Sequence, residues 1–202
     1  VVFVVILLTK IPESGQQASV KQLEKGKGPM AFRHFVLGAI GIFIYVGVEV
    51  GIPNVLHKWL QNPDLNVLGN IANPDDVAAS VAATYWFLML VGRLIGGIIG
   101  NKVSAKSMLT VASAAGVILT LLAMFGPQTM VKFPAFNGAE GFGLERIPLN
   151  AAFLVCIGLC TSVMWGGIFN LAVEGLGVYT EKASGIFMAL VCGGGILPLL
   201  QR

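Results

Sequence analysis

Five long apolar runs decide what this chain can fold into. They cover residues 35–56, 77–99, 108–125, 149–173 and 183–200, each close to the length of one helical membrane crossing, about 17–25 residues. None alternates apolar with polar residues over short segments, as the strands of a membrane barrel would. A helix satisfies its own backbone hydrogen bonds where no water can reach, so helices are the expected way to fill these runs. Composition agrees. Only 11% of the 202 residues are charged, 55% are hydrophobic and the mean hydropathy is +0.81, whereas a water-soluble domain carries about 25% charged residues. A soluble enzyme, a nucleic-acid binder and a disordered tail are excluded on that ground, and a net charge of +3 is too small to argue for nucleic acid as a partner. The fold class expected is all-α, a polytopic helix bundle with the lipid bilayer as its solvent.

The segments between the runs carry an asymmetric charge. Lys10, Lys21, Lys25, Lys27 and Arg33 precede the first run, Asp64, Asp75 and Asp76 outnumber Lys58 after it, and Lys102 and Lys106 follow the second. Basic residues favour the cytoplasmic side, which places the first and third loops inside and the second outside, in the alternation that successive crossings require. The loop 127–148 is mixed in charge, and Glu174, Glu181 and Lys182 favour neither side. Trp59, Tyr85 and Trp86 fall at one boundary, Phe32 and Phe35 at the other, and read as interface anchors. The apolar stub 1–8 is too short to cross, and the last run passes straight into Gln201-Arg202. The expected organisation is therefore a piece of a longer protein: the end of one membrane helix (1–8), a cytoplasmic linker (9–34) and a five-helix half-bundle (35–202). Cys156, Cys160 and Cys192 lie in apolar surroundings as packing residues. His34 and His57 have no partner at metal-ligand spacing, and no metal or cofactor is expected.

Glu49 and Arg93 are the two charges within the runs. An ionisable group near mid-bilayer costs at least ~2.5 kcal/mol on insertion scales, so it faces a partner or a water-filled cavity. Glu49 sits in Tyr45-Val46-Gly47-Val48-Glu49-Val50-Gly51-Ile52-Pro53-Asn54. Gly47 and Gly51 allow close helix approach, and Pro53 lacks the N–H that would bond the carbonyl of Glu49. Tyr45 is one turn before Glu49 on the same face, and Asn54 a little over a turn beyond. A phenol, a carboxyl, a free carbonyl and an amide thus gather at membrane depth and point to a polar cavity. There Glu49 either binds a polar solute or carries a coupling proton. The competing reading is a structural hydrogen bond to a neighbouring helix.

Arg93 belongs to a run in which Gly92, Gly96 and Gly100 recur every four residues as a packing ridge. Near the end of its helix, Arg93 is expected to snorkel or to pair with helix-end carbonyls, in gating rather than in substrate contact. Trp165 lies in Thr161-Ser162-Val163-Met164-Trp165-Gly166-Gly167-Ile168-Phe169-Asn170. Its indole offers a flat apolar face and one donor, a match for a sugar ring; the competing reading is a core aromatic over Gly166 and Gly167. Gly193-Gly194-Gly195 ahead of Pro198 predicts an easily kinked last helix, of the kind found at transporter sites. No phosphate-binding loop, dinucleotide glycine pattern or zinc-protease motif occurs in the sequence.

These motifs together resemble the sugar-transporter branch of the major facilitator superfamily, the group of fucose permeases and bacterial glucose/galactose transporters. The resemblance rests on Tyr45 to Gly51, on Thr84-Tyr85-Trp86-Phe87-Leu88-Met89-Leu90-Val91-Gly92-Arg93-Leu94-Ile95-Gly96, on Met164 to Gly177 and on Gly193 to Pro198. It implies a twelve-helix transporter of two halves working by alternating access, with the stub as the end of helix six and the five runs as helices seven to eleven. Gly92-Arg93 matches the superfamily's glycine–arginine element, while the acidic residue that often follows is absent from Asn101-Lys102-Val103-Ser104-Ala105-Lys106. The resemblance further implies that Glu49, Asn54, Trp165 and Asn170 lie on helices lining the sugar cavity. It places the family's proton-coupling carboxylates mainly in the other half, which favours sugar binding for Glu49.

The function expected is ion-coupled transport of a monosaccharide of the fucose, glucose or galactose kind across the bacterial inner membrane. No bond is made or broken, so no enzyme is expected. Glu49, Asn54, Asn170 and Tyr45 would hydrogen-bond the sugar, with Trp165 stacking on its ring. Gly92, Arg93, Gly96, Gly100, Pro53 and Pro198 would serve conformational change, a proton or sodium ion would couple, and the other half of the chain would complete the site. The rivals are a membrane structural or assembly subunit and a transporter of another small polar solute.

Overall fold

The computed structural model describes residues 28–69, 71, 73–100, 102–137 and 141–200. The expected helix end at 1–8, the linker before residue 28, Asn101, Glu140 and Gln201-Arg202 lie outside the described residues. Three unbroken helices come first: α1 (Arg33–Gln61), α2 (Pro74–Ile99) and α3 (Ala105–Phe125). Two strands follow, β1 (Met130–Asn137) and β2 (Gly141–Pro148), then α4 (Leu149–Thr161), α5 (Met164–Val173), α6 (Thr180–Leu190) and α7 (Gly193–Leu200). Among the described residues, five segments are long and apolar enough to cross a membrane: α1, α2, α3 and the broken pairs Leu149–Val173 and Gly177–Leu200. The chain is a multi-pass helical membrane bundle.

Local chemistry sets the helix ends. Pro74 opens α2 with Asp75 and Asp76 in the first turn, where the positive end of the helix dipole favours acids. The Ser104 hydroxyl caps α3 by accepting from the Ser107 N–H at 3.2 Å. At the other end of α3 the buried Asn150 amide donates to the carbonyl of Ala123 at 2.6 Å, one of the last-turn carbonyls that lack a helical partner. The fourth crossing breaks at Ser162-Val163. There the Thr161 hydroxyl contacts the carbonyl of Gly158 at 3.2 Å and the Ser162 hydroxyl that of Leu159, a back-bonding pattern that bends helices. The fifth breaks just before Gly193, where the glycine run predicts a weak backbone.

Within segment 127–148, expected as a loop, Met130–Asn137 and Gly141–Pro148 instead pair as antiparallel strands, with Met130 opposite Pro148 and Asn137 opposite Gly141. This hairpin lies along α2. The Phe136 N–H donates to Thr84 Oγ1 at 2.7 Å, and the rings of Phe87, Phe136 and Phe142 pack with centroids 5.0–5.5 Å apart. Thr84 is about 15 Å along α2 from Pro74 at 1.5 Å per residue, so the Phe136 amide is held well inside the length of that helix.

α1 is the central element. It packs against α2, α5 and α7, while α4 packs against α2 and α3. Two apolar clusters stack along it. One joins Leu56 and Leu60 of α1 to Val77, Val81 and Tyr85 of α2 and Ala151 and Val155 of α4. The other joins Phe35, Ile42, Tyr45 and Val46 of α1 to Ala172 of α5 and Ala183 and Phe187 of α6. Glu49 lies at the level where the two clusters meet.

Candidate functional site

Pro53 is the local cause of the site. Without its N–H, the carbonyl of Glu49 is open to another donor, and the hydroxyl of Tyr85 on α2 supplies it at 3.2 Å. The Glu49 side chain receives two further donors on Oε1. Tyr45, one turn earlier, approaches at 2.8 Å, and Arg93 Nη2 of α2 at 3.1 Å. The Tyr45 hydroxyl also lies 2.7 Å from the carbonyl of Thr161 at the end of α4, and the Tyr85 hydroxyl 3.2 Å from Thr161 Oγ1. Four side chains and two backbone carbonyls from α1, α2 and α4 thereby form one network around a single carboxyl. Glu49 Oε2 takes no protein partner among the described residues.

The network borders a cavity of about 490 Å³ lined by Val46, Glu49, Arg93, Ser162, Trp165, Gly166 and Val191. Its size falls in the usual range of small-molecule sites, about 300–1,000 Å³. The Glu49 side chain is 9% exposed but that of Arg93 is 54% exposed, so the guanidinium is the charge open to the cavity. Trp165 stacks on Phe169 (centroids 5.6 Å apart, planes 14° apart) and meets the edge of Phe187, which holds the indole in place on the cavity wall.

Arg93 differs from its expected placement. It pairs with Glu49 rather than with helix-end carbonyls. Side chains on a helix lean toward its N-terminus, so a residue six positions before the end of α2 points back into the bundle, past Met89 Sδ at 3.7 Å. Asn54 and Asn170 do not join Glu49 and Trp165. Asn54 Nδ2 donates to the Val50 carbonyl of its own helix at 2.9 Å and borders a separate cavity of about 560 Å³ with Lys58, Trp59, Asn62, Gly195 and Pro198. Asn170 is exposed outside both. Each is five residues from its intended companion, about 140° around a helix at 100° per residue, which turns it off the cavity face.

Tyr85, read as an interface anchor, is fully buried, whereas its neighbour Trp86 is 42% exposed. The spacing Tyr85, Met89, Arg93 at i, i+4 and i+8 was the available signal for its inward face. Of the glycine ridge, Gly92 and Gly96 press on the α4–α5 break: a Cβ at Gly92 would collide with Ser162, and one at Gly96 with Val163. Gly100 ends the helix and meets only carbonyls of its own last turn. Gly47 gives the same close approach to Leu197 of α7.

Sequence comparison then supplies relatives. Glucose/galactose transporters from two Brucella abortus strains are each 28% identical over 201 residues, all of this chain and 43% of theirs. These relatives are named as sugar transporters. A Helicobacter pylori protein named for the same two sugars is 29% identical over 198 residues, 98% of this chain and 42% of its own. The chain thus spans less than half the length of these relatives. No family model and no solved structure matches. The resemblance to the glucose/galactose branch rests on these relatives along essentially the whole chain.

Proposed function

We propose that the chain is the larger part of one half of a secondary transporter that moves a monosaccharide across a bacterial inner membrane by ion-coupled alternating access. The observation that carries this reading is the single cavity shared by Glu49, Arg93 and Trp165: an acceptor, a bidentate donor and an aromatic face are the groups that recognise a polyhydroxylated ring. Glu49 Oε2 and the Arg93 guanidinium bind sugar hydroxyls, and Trp165 presents its ring to the apolar face of the sugar. The breaks beside Ser162 and before Gly193 give the backbone freedom to move around that site, as interrupted helices do in transporters. The relatives named for glucose and galactose support those two sugars as substrates. Sugar transport leaves every covalent bond intact, so the site needs no catalytic group.

The test is uptake of labelled D-glucose and D-galactose by the full-length protein in proteoliposomes, with the ion gradient imposed and then collapsed. Uptake above empty vesicles that falls when the gradient collapses is expected. Glu49→Gln and Trp165→Ala are each expected to lower uptake at least tenfold at normal expression. Wild-type uptake in both variants would remove these residues from the site, and absence of uptake by the wild type would favour a structural subunit.

A further inference from the structure

α2 and α3 follow one another in the chain, yet they make almost no contact beyond their connecting turn. α2 leans on α1 and α4, and α3 on α4 and α5. A crevice of about 440 Å³ runs between them, walled by Ile95 and Ile99 of α2 and by Val111 and Ala115 of α3, with Leu159 and Val163 as its floor. Small residues keep it open. Gly96 stands on one wall and Ala112 beside Ala115 on the other, so neither helix sends a large side chain across.

The crevice is apolar along its length but for the Cys160 thiol, and polar at its mouth, where Val103 and Ser107 border it. The Ser107 N–H is taken by the Ser104 cap, while its hydroxyl has no protein partner among the described residues. Lys102 and Lys106 stand one residue before Val103 and Ser107, and both are exposed. Among the described residues the one ion pair is that of Arg93 with Glu49, so neither lysine is neutralised by a carboxylate. Their flexible four-carbon stems let both ammonium groups reach the mouth.

We infer that this crevice binds an anionic glycerophospholipid, with one acyl chain between α2 and α3 and the phosphate at Lys102, Lys106 and the Ser107 hydroxyl. Three observations favour that occupant. Apolar walls leave water without hydrogen-bond partners, whereas a hydrocarbon chain gains dispersion contacts with both helices and the floor. The stretch from Gly92 to Ile99 is about 10 Å long, so the crevice is about 40 Å² in section; a helix about 10 Å across needs twice that, and an extended acyl chain needs less. Unpaired positive charge stands at the one end where a headgroup would lie, and basic turns of this kind favour the cytoplasmic leaflet and attract its anionic lipids. The site is separate from the cavity of Glu49 and Trp165 and does not depend on the sugar reading.

The experiment is native mass spectrometry of the purified full-length protein with phosphatidylglycerol, with phosphatidylethanolamine of the same acyl chains, and with glycerophosphoglycerol, the first headgroup without chains. Phosphatidylglycerol is expected to remain bound at protein energies that strip phosphatidylethanolamine, and the chainless headgroup is expected not to bind. Lys102→Gln and Lys106→Gln are each expected to weaken phosphatidylglycerol binding about fivefold, and the double variant about thirtyfold. Lys182→Gln, which removes an exposed lysine of α6, is expected to bind as the wild type does. Ala115→Leu fills the crevice and is expected to weaken binding with both lysines in place; where it does not fold, the lysine variants carry the test. Equal retention of the two lipids, or wild-type binding in the double lysine variant, overturns the inference. Wild-type binding in a folded Ala115→Leu protein, binding of the chainless headgroup as tight as that of the lipid, or a second copy of the chain retained in place of lipid overturns it as well.

Discussion

Glu49 is reached by three donors, two of them from a neighbouring helix, and each bond has a separate origin in the sequence. The Tyr85 hydroxyl fills a vacancy that Pro53 creates on the carbonyl of Glu49. Tyr85→Phe leaves that buried carbonyl unpaired, and an unmade buried hydrogen bond costs about 1–3 kcal/mol. A thermal melt in detergent is expected to show the loss, while the ring keeps its packing. The pair between Glu49 and Arg93 is expected to couple. In a double-mutant cycle of Glu49→Gln and Arg93→Gln, the two single losses should exceed the loss in the double variant by about 0.5–3 kcal/mol. Additive losses would show that the 3.1 Å contact contributes nothing. Because Arg93 is half exposed, the lower part of that range is the expectation.

At the scale of elements, the helices are held together by places where a side chain is absent. Gly92 and Gly96 let α2 lie against the α4–α5 break, and Gly193 lets α7 approach the Phe43 carbonyl of α1. Gly92→Ala pushes a methyl into Ser162, and overpacking of this kind costs about 1–3 kcal/mol. It is expected to lower the melting temperature and, by spreading α2 from α4, to slow uptake. Gly97, whose added Cβ meets nothing within 4 Å, is the control: Gly97→Ala should melt no lower than the wild type. Among the described residues, one hydrogen bond to a side chain of α2 holds the hairpin. Thr84 Oγ1 donates to the Ser80 carbonyl at 2.6 Å and accepts from the Phe136 N–H at 2.7 Å. Thr84→Val keeps the shape and deletes both, so hydrogen exchange at the Phe136 amide is expected to accelerate while α2 stays formed. Unchanged exchange would mean that the three phenylalanine rings alone seat the hairpin.

For the molecule as a whole, the hydropathy pattern located the five candidate crossings among the described residues, because each must offer an apolar surface on every side to lipid or to neighbours. Tyr45 and Glu49 were legible as a pair, since one turn of helix fixes their spacing wherever the helix packs. The hairpin was not: Asn137-Gly138 marks a turn, but the strands around it are partly polar, and their seat along α2 depends on Thr84 and Phe87, some fifty residues earlier. Among the described residues Asn54 and Asn170 do not border the cavity of Glu49 and Trp165, because a fifth residue along a helix has already turned away. Sequence alone determined that this chain fills a membrane with helices and that Glu49 and Arg93 require an explanation there, since charge in hydrocarbon is too costly to be incidental. Only the tertiary structure decided that each is the explanation of the other. Their contact joins two helices forty-four residues apart in the chain, and no local rule of spacing specifies which faces of two helices meet.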